Sequence, residues 1–385
     1  MSKRAEFEAK CNRFNTAFDG GTPDRVPVFS MVDTYVLAQA HCTIEEAWVK
    51  DKNKCVAAFK NYNDQVYSDM VWGTGNTTPF KMLESFGNSL YCITGETVQT
   101  KGSAGAVMKD DEYPLLIENP REFLYDTIIP RKYEVCNGDE ATLTPIFRKA
   151  TSGLFDWVIH ESLSIRGIEK KVGLPVAVNA YNFLAPDFIL DFLRDFVGIS
   201  KDIRRRPDEL YAACEAVYPM IMELTEISGK PDKNKVVHIP LHLPTYMRPK
   251  DFEKLYLPWM IRAINDLNAK GYRLMFFCER DWTAYADMLK ELPKGPNGYI
   301  FECGDLKLLR ESIRGKGCFM GGMRTELLKY GTKEECIDEA KRCLEDFAPG
   351  GGYIFTTDKF LLCGDDAKIE NLAAVNEYVH THGKY

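Results

Sequence analysis

Through the second half of the chain, short β-prone apolar runs alternate with longer stretches whose apolar residues return at helical spacing. Predicted strands at Lys235–Leu243, Arg273–Cys278, Gly298–Glu302, Cys318–Met323 and Gly352–Thr356 are each followed by a predicted helix. The helices are Pro249–Lys270, Trp282–Leu292, Leu306–Arg314, Thr332–Phe347 and Ile369–His380. In the first of them Phe252, Leu255, Ile261 and Leu267 recur at roughly helical spacing, and Gly271, Gly315 and Gly351 mark helix exits. Strand and helix in strict alternation build a parallel sheet from βαβ units.

The first half is less regular. Strands are expected at Arg25–Met31, Met70–Trp72 and Pro175–Ala180, and helices at Ile44–Val66, Leu143–Ser164 and Pro186–Ile199. Phe86–Lys132, rich in Gly, Thr and alternating apolar residues, reads as a β-hairpin excursion with loops. The strands total eight, which predicts an α/β chain folded as a (β/α)8 TIM barrel, although a doubly wound sheet gives similar local signals. No long Pro/Ser linker or internal repeat divides the sequence, so residues 1–385 read as one domain with 86–132 an excursion within it.

Composition narrows the partners. The chain of 385 residues is 45% hydrophobic, enough for a large core, and its net charge of −7 argues against nucleic acid or an anionic membrane. Arg204–Arg206 reads as a solvated helix edge. Twelve cysteines scattered through a chain without a hydrophobic leader read as reduced thiols of a cytoplasmic protein. No apolar run approaches the ~20 residues of a membrane span. The run Ala348-Pro-Gly-Gly-Gly-Tyr353 precedes a strand instead of opening a helix, so it reads as a helix stop and turn, not a phosphate loop.

In a barrel, chemistry belongs at the carboxyl ends of the strands. Those ends carry His238, His242 and Tyr246, then Cys278, Glu279, Arg280 and Asp281, then Glu302, Cys303 and Asp305, and finally Thr356, Thr357, Asp358 and Lys359. Cysteine, histidine and carboxylate at neighbouring ends are the ligand types of zinc. Cys278 stands out because it opens a run too polar for plain core, whereas Cys55, Cys92, Cys136, Cys214, Cys336 and Cys343 read as structural. For His238 and His242 two readings stay open: ligand or substrate contact, and hydrogen-bonded core histidine.

Several motifs carry a family resemblance. Pro23-Asp-Arg-Val-Pro-Val28, Pro249-Lys-Asp-Phe-Glu253 and Gly350-Gly-Gly-Tyr-Ile-Phe355 with Ile369-Glu-Asn-Leu372 resemble the uroporphyrinogen decarboxylase superfamily over nearly the whole chain. Phe277-Cys-Glu-Arg-Asp-Trp282, Lys290-Glu-Leu-Pro-Lys-Gly295 and Leu328-Lys-Tyr-Gly-Thr-Lys-Glu-Glu335 are similar to its corrinoid-dependent methyltransferases, including those that demethylate aryl methyl ethers. The paired arginines with which decarboxylases hold a porphyrinogen's carboxylates are replaced here by Phe29-Ser-Met-Val-Asp-Thr-Tyr35. Where thiol methyltransferases have His-x-Cys, this chain has Phe276-Phe277-Cys278. The pattern of the ether-cleaving relatives, one acid and two spaced cysteines, implies Asp251, Cys278 and Cys318 as ligands of Zn2+, with Glu302, His242 or Asp358 able to complete the set.

The resemblance thus implies transfer of a methyl group from a small methoxylated or related methyl donor to the Co(I) of a corrinoid, a cobalamin supplied by a partner protein. Zn2+, or a proton from Glu279, Glu302 or His242, would assist the leaving group. Tyr35, Tyr181 and Tyr246, with Phe29 and Phe183, are the candidate walls of the substrate pocket. Two alternatives remain: a decarboxylase-like lyase using Arg25, Arg280 or Arg324, and a non-catalytic barrel that carries a corrinoid or tetrapyrrole. A barrel of this size is also compatible with a homodimer.

Overall fold

Eight parallel strands ring the centre of the computed structural model, which describes residues 2–87, 91–94, 97–100 and 106–385. The first two are β1 (Phe29–Ser30) and β2 (Met70–Val71), paired in parallel. Six more form a continuous parallel sheet: β5 (Val178–Tyr181), β6 (Val236–Leu241), β7 (Leu274–Asp281), β8 (Asn297–Cys303), β9 (Cys318–Met323) and β10 (Tyr353–Thr357). Two short seams close the ring. Val71 bridges to Val176 ahead of β5, and Val28 bridges to Phe355 of β10. The amide of Ala177 donates to Val71 at 2.8 Å, and that of Phe355 to Pro27 at 3.0 Å. The doubly wound alternative is thereby set aside, because such a sheet has two open edges.

Between β2 and β5 lies the excursion. Its described residues form an antiparallel hairpin of β3 (Tyr91–Thr94) and β4 (Thr97–Thr100), followed not by loops but by short helical segments from Tyr113 to Lys132. Residues 88–90, 95–96 and 101–105 of the expected hairpin region lie outside the described residues. The long helix Glu140–Gly167 then leads back to the barrel.

Alternation along each strand separates two apolar layers. Met275, Phe277, Ile300, Cys318, Met320 and Ile354 point into the barrel, where Phe14 and Phe18 of the amino-terminal helix Lys3–Phe18 join them. Leu274, Phe276, Cys278, Phe301 and Phe319 face the surrounding helices. Some helices are more broken than periodicity suggests. Pro249–Lys270 divides into Pro249–Leu255 and Leu257–Ala269 at Tyr256, and Trp282–Leu292 shrinks to the turns Thr283–Tyr285 and Ala286–Leu289. Among the described residues no helix is long and apolar enough to cross a membrane.

Candidate active site

The carboxyl end of β6 delivers His242 one residue past the strand, where its backbone turns. The buried carboxylate of Asp187 fixes that turn by accepting the amides of His242 at 3.0 Å and Leu243 at 2.8 Å, and the hydroxyl of Tyr256 at 2.5 Å. Asp187 belongs to the helix Ala185–Ile189 after β5, and Asp191 lies one turn further on. His242 Nδ1 lies 3.0 Å from Asp191, and its Nε2 lies 3.4 Å from Glu279 on β7. Burial by itself would lower the imidazole's pKa, but Asp191, Asp187 and Glu279 together outweigh it and raise the pKa to about 9. At neutral pH His242 is therefore an imidazolium set among acids.

Next to it, β7 bulges. Its register with β8 shifts between Cys278 and Asp281, and Arg280 takes a left-handed φ of 60°. That conformation aims the Arg280 amide at Glu302, which accepts it at 2.7 Å, while Lys359 Nζ lies 3.1 Å from the same carboxylate. Glu279 keeps a pKa above the ordinary range, first through burial and then through repulsion from Glu302 and Asp191, with His242 and Arg280 pulling the other way. The three predicted acid–base residues, His242, Glu279 and Glu302, thus come together on one rim.

A second group of acids lies deeper. Asp33, after β1, is raised to about 7 by burial, eased only by the backbone of Thr34. Glu161, on the long helix, is raised to about 7 by burial and by Asp33, against the pull of Thr74 and Asn76. Gly75 lets the chain pass against Asp33: its φ is +80°, and a Cβ there would overlap the carboxylate. Burial, with Glu161 and Asp33 adding to it, pushes the phenol of Tyr181 well up, so these acids border the inner wall of the barrel.

That wall is aromatic. Trp72 meets His238 at 5.3 Å, Phe360 at 4.9 Å and Tyr181 at 6.3 Å, all edge to face. His238 is buried and neutral, its pKa lowered to about 3 by burial and then by His242. Trp72 Nε1 and His238 Nδ1 are buried without a hydrogen-bond partner among the described residues. Two unpaired polar atoms on one apolar wall are costly unless a bound molecule pairs with them.

The predicted metal ligands do not converge. Cys278 lies in the layer between strands and helices, while Cys318 points inward at the amino end of β9, paired with Gly298 at the start of β8. Asp251 is held by Arg248 at 2.6 Å on the helix Pro249–Leu255. Two side chains on opposite faces of the sheet cannot share one ion, so Zn2+ does not fit this trio. Among the described residues, the one group of three potential ligands within reach of each other is Cys363, Asp365 and Asp366. Asp366 there accepts the amides of Leu362 and Cys363, an ordinary turn closure.

Of the predicted pocket residues, Tyr181 lines the wall, Tyr246 stands 50% exposed at the outer rim against Phe196, and Tyr35 is buried among helices with its hydroxyl on Ala367 at 3.1 Å. Tyr35 is thus core and not pocket. Asp33, Glu161, Asp187, Asp191, Trp72 and Phe360 were not singled out from sequence. Asp187 and Asp191 could have been, since acids four apart at the first helix after a strand end share one face.

A family model described as Uroporphyrinogen decarboxylase (URO-D) matches residues 183–382, just over half of the 385 residues. A solved "methyltransferase from Methanosarcina mazei" is similar over 97% of this chain and 98% of its own, with a TM-score of 0.61 and 15% identity, a likeness of fold. A B12-independent methionine synthase from Shewanella sp. W3-18-1, in complex with selenomethionine, covers 57% of this chain and 66% of its own at a TM-score of 0.35 and 14% identity, too distant to carry an argument. No curated protein sequence matches the chain significantly.

Proposed function

The chain belongs to the uroporphyrinogen decarboxylase family, and on that premise we propose that it is a methyltransferase that demethylates a small methoxylated, aromatic donor with help from a protein acid. The observation that carries this reading is the rim of His242, Glu279 and Glu302 above an aromatic wall with unpaired polar atoms. A corrinoid held by a partner protein would supply the Co(I) nucleophile that accepts the methyl group.

The chain's own task is then the leaving oxygen. An alkoxide or phenolate leaves poorly, so a proton must reach the oxygen as its bond to the methyl carbon breaks and the electron pair moves onto it. Glu279 is assigned as the donor because it faces the rim beside His242 and burial raises its pKa from the ordinary carboxyl value, with His242 pulling the other way. His242, oriented by Asp191 and Asp187, offsets the carboxylate that remains. Trp72, Tyr181 and Phe360 supply an apolar face for an aryl ring, with the indole N–H free to donate to the donor's oxygen. The likeness to a methyltransferase fold supports this reading, as does the absence of the paired arginines that a porphyrinogen's carboxylates need.

The test is a donor screen with chemically reduced cobalamin, followed by the loss of cob(I)alamin absorbance under anoxic conditions. Methoxylated benzoates and phenols are expected to give protein-dependent loss with release of the free phenol. If none reacts and carbon dioxide is released from an acidic aromatic instead, the lyase reading replaces this one.

A further inference from the structure

The glycine run Ala348–Tyr353, which stops the helix Lys333–Phe347, also lines a cavity of about 120 Å³ at the amino-terminal face of the barrel. The segments around it lead into β8, β9 and β10, so it opens at the opposite end from the candidate active site. Its charged lining residues are Asp19, Lys294, Arg310, Arg314 and Lys316, four of them cationic in a chain whose net charge is −7.

The charges there are not balanced. Asp19 is already paired with Arg273 at 2.8 Å, and Arg314 with the neighbouring Glu311 at 2.8 Å. Arg310 is only 5% exposed and has no ion pair among the described residues. One of its nitrogens donates to the carbonyl of Gly351 at 2.5 Å, and its Nε has no hydrogen-bond partner among the described residues. Lys294 and Lys316 likewise have no ion pair among the described residues. A guanidinium cannot shed its proton in a protein, and a buried one without a counter-charge is costly.

We propose that this cavity binds a phosphate group, with Arg310 as the buried contact and Lys294 and Lys316 at the rim. The size fits: about four water volumes hold a tetrahedral oxyanion. Side chains carry the recognition, and the amides of Gly351 and Gly352 are not available to it, since they donate to Ala348 at 3.0 Å and Gly21 at 2.9 Å. The glycines instead keep room. A Cβ on Gly350, at a φ of +86°, would lie 3.4 Å from the Arg314 guanidinium. A ligand here ties the amino ends of three strands to three helix ends and stabilises the folded chain by mass action. The site is independent of the methyl-transfer chemistry.

Calorimetric titration of the whole protein with inorganic phosphate, and separately with glycerol phosphate, at fixed ionic strength against chloride, tests this. One saturable site per chain is expected, weakened at least about tenfold in Lys294→Ala/Lys316→Ala and in Arg310→Gln. The double variant changes only rim residues, so it decides the matter if Arg310→Gln does not fold. Binding of both ligands identifies a terminal phosphoryl group as the feature recognised, and binding of phosphate alone identifies the free ion. No saturable binding of either ligand, or equal binding by wild type and a folded double variant, overturns the proposal.

Discussion

Glu279 and His242 show how one residue's environment sets its chemistry. An ordinary glutamate at neutral pH holds no proton to give, and an ordinary histidine holds one only part of the time. Here burial raises the acid's pKa, and Asp191 above all raises the imidazole's to about 9. Replacing Asp191 by Asn removes the largest of the raising contacts, so the His242 titration followed by NMR should move down toward its ordinary value near 6.5 by more than about one pH unit. Asp33 and Glu161 make a different prediction. Both have folded pKa values near 7, above their unfolded values. Their contribution to stability is therefore full below about pH 4 and is lost as pH rises through 7, where the unfolded chain has already released its protons. Glu161→Gln should leave thermal stability at pH 5 nearly unchanged and raise it at pH 8 by about 1–2 kcal/mol. Equal effects at both pH values would show that Glu161 is not held protonated. That Glu279, Glu302 and His242 share one rim was legible because residues at the carboxyl ends of barrel strands lie on one face. Glu161 was not, because it sits on a helix far from any strand end, and only the closed fold places it beside Asp33.

At the scale of elements, β7 carries both a legible rim and a cysteine whose type misleads. Its polar tail marks the rim, but the polar residues start after Cys278, and Cys278 itself still follows the alternation that turns Leu274 and Phe276 outward. Residue type suggested a ligand; register assigns it to packing. Cys278→Ala should cost about 1 kcal/mol of stability and change neither metal content nor transfer rate by more than about twofold. Loss of one zinc per chain in that variant would restore the ligand role. The bulge that follows needed Arg280 in a left-handed conformation, which no pattern of apolar residues announces. Strands were most legible in the second half, where Cys318–Met323 is both predicted and observed, whereas the expected Arg25–Met31 shortens to Phe29–Ser30. Helices broke where tertiary contacts override periodicity. Tyr256 interrupts an otherwise continuous helix and spends its hydroxyl on Asp187. The helix Pro207–Ser228, opened by a proline at its first turn, was not anticipated beside the basic run before it.

For the whole molecule, the barrel separates two kinds of site. Its carboxyl-terminal face holds the acids and the aromatic wall; its amino-terminal face holds the unbalanced cations around Arg310. The hairpin belongs to the first face, where the phenol of Tyr91 is raised by burial and by Asp191. Eight strands were countable from sequence, but closure was not, because it rests on the seams Val28–Phe355 and Val71–Val176 and not on any repeated motif. In the proposed methyl transfer a protein acid at this rim protonates the leaving oxygen. Its most direct test is the pH–rate profile of cob(I)alamin methylation from an aryl methyl ether by wild type and Glu279→Gln. The wild-type rate is expected to fall as pH rises and Glu279 loses its proton, and Glu279→Gln to be slower by about 10²-fold with that dependence gone. An unchanged rate and profile in the variant would contradict it.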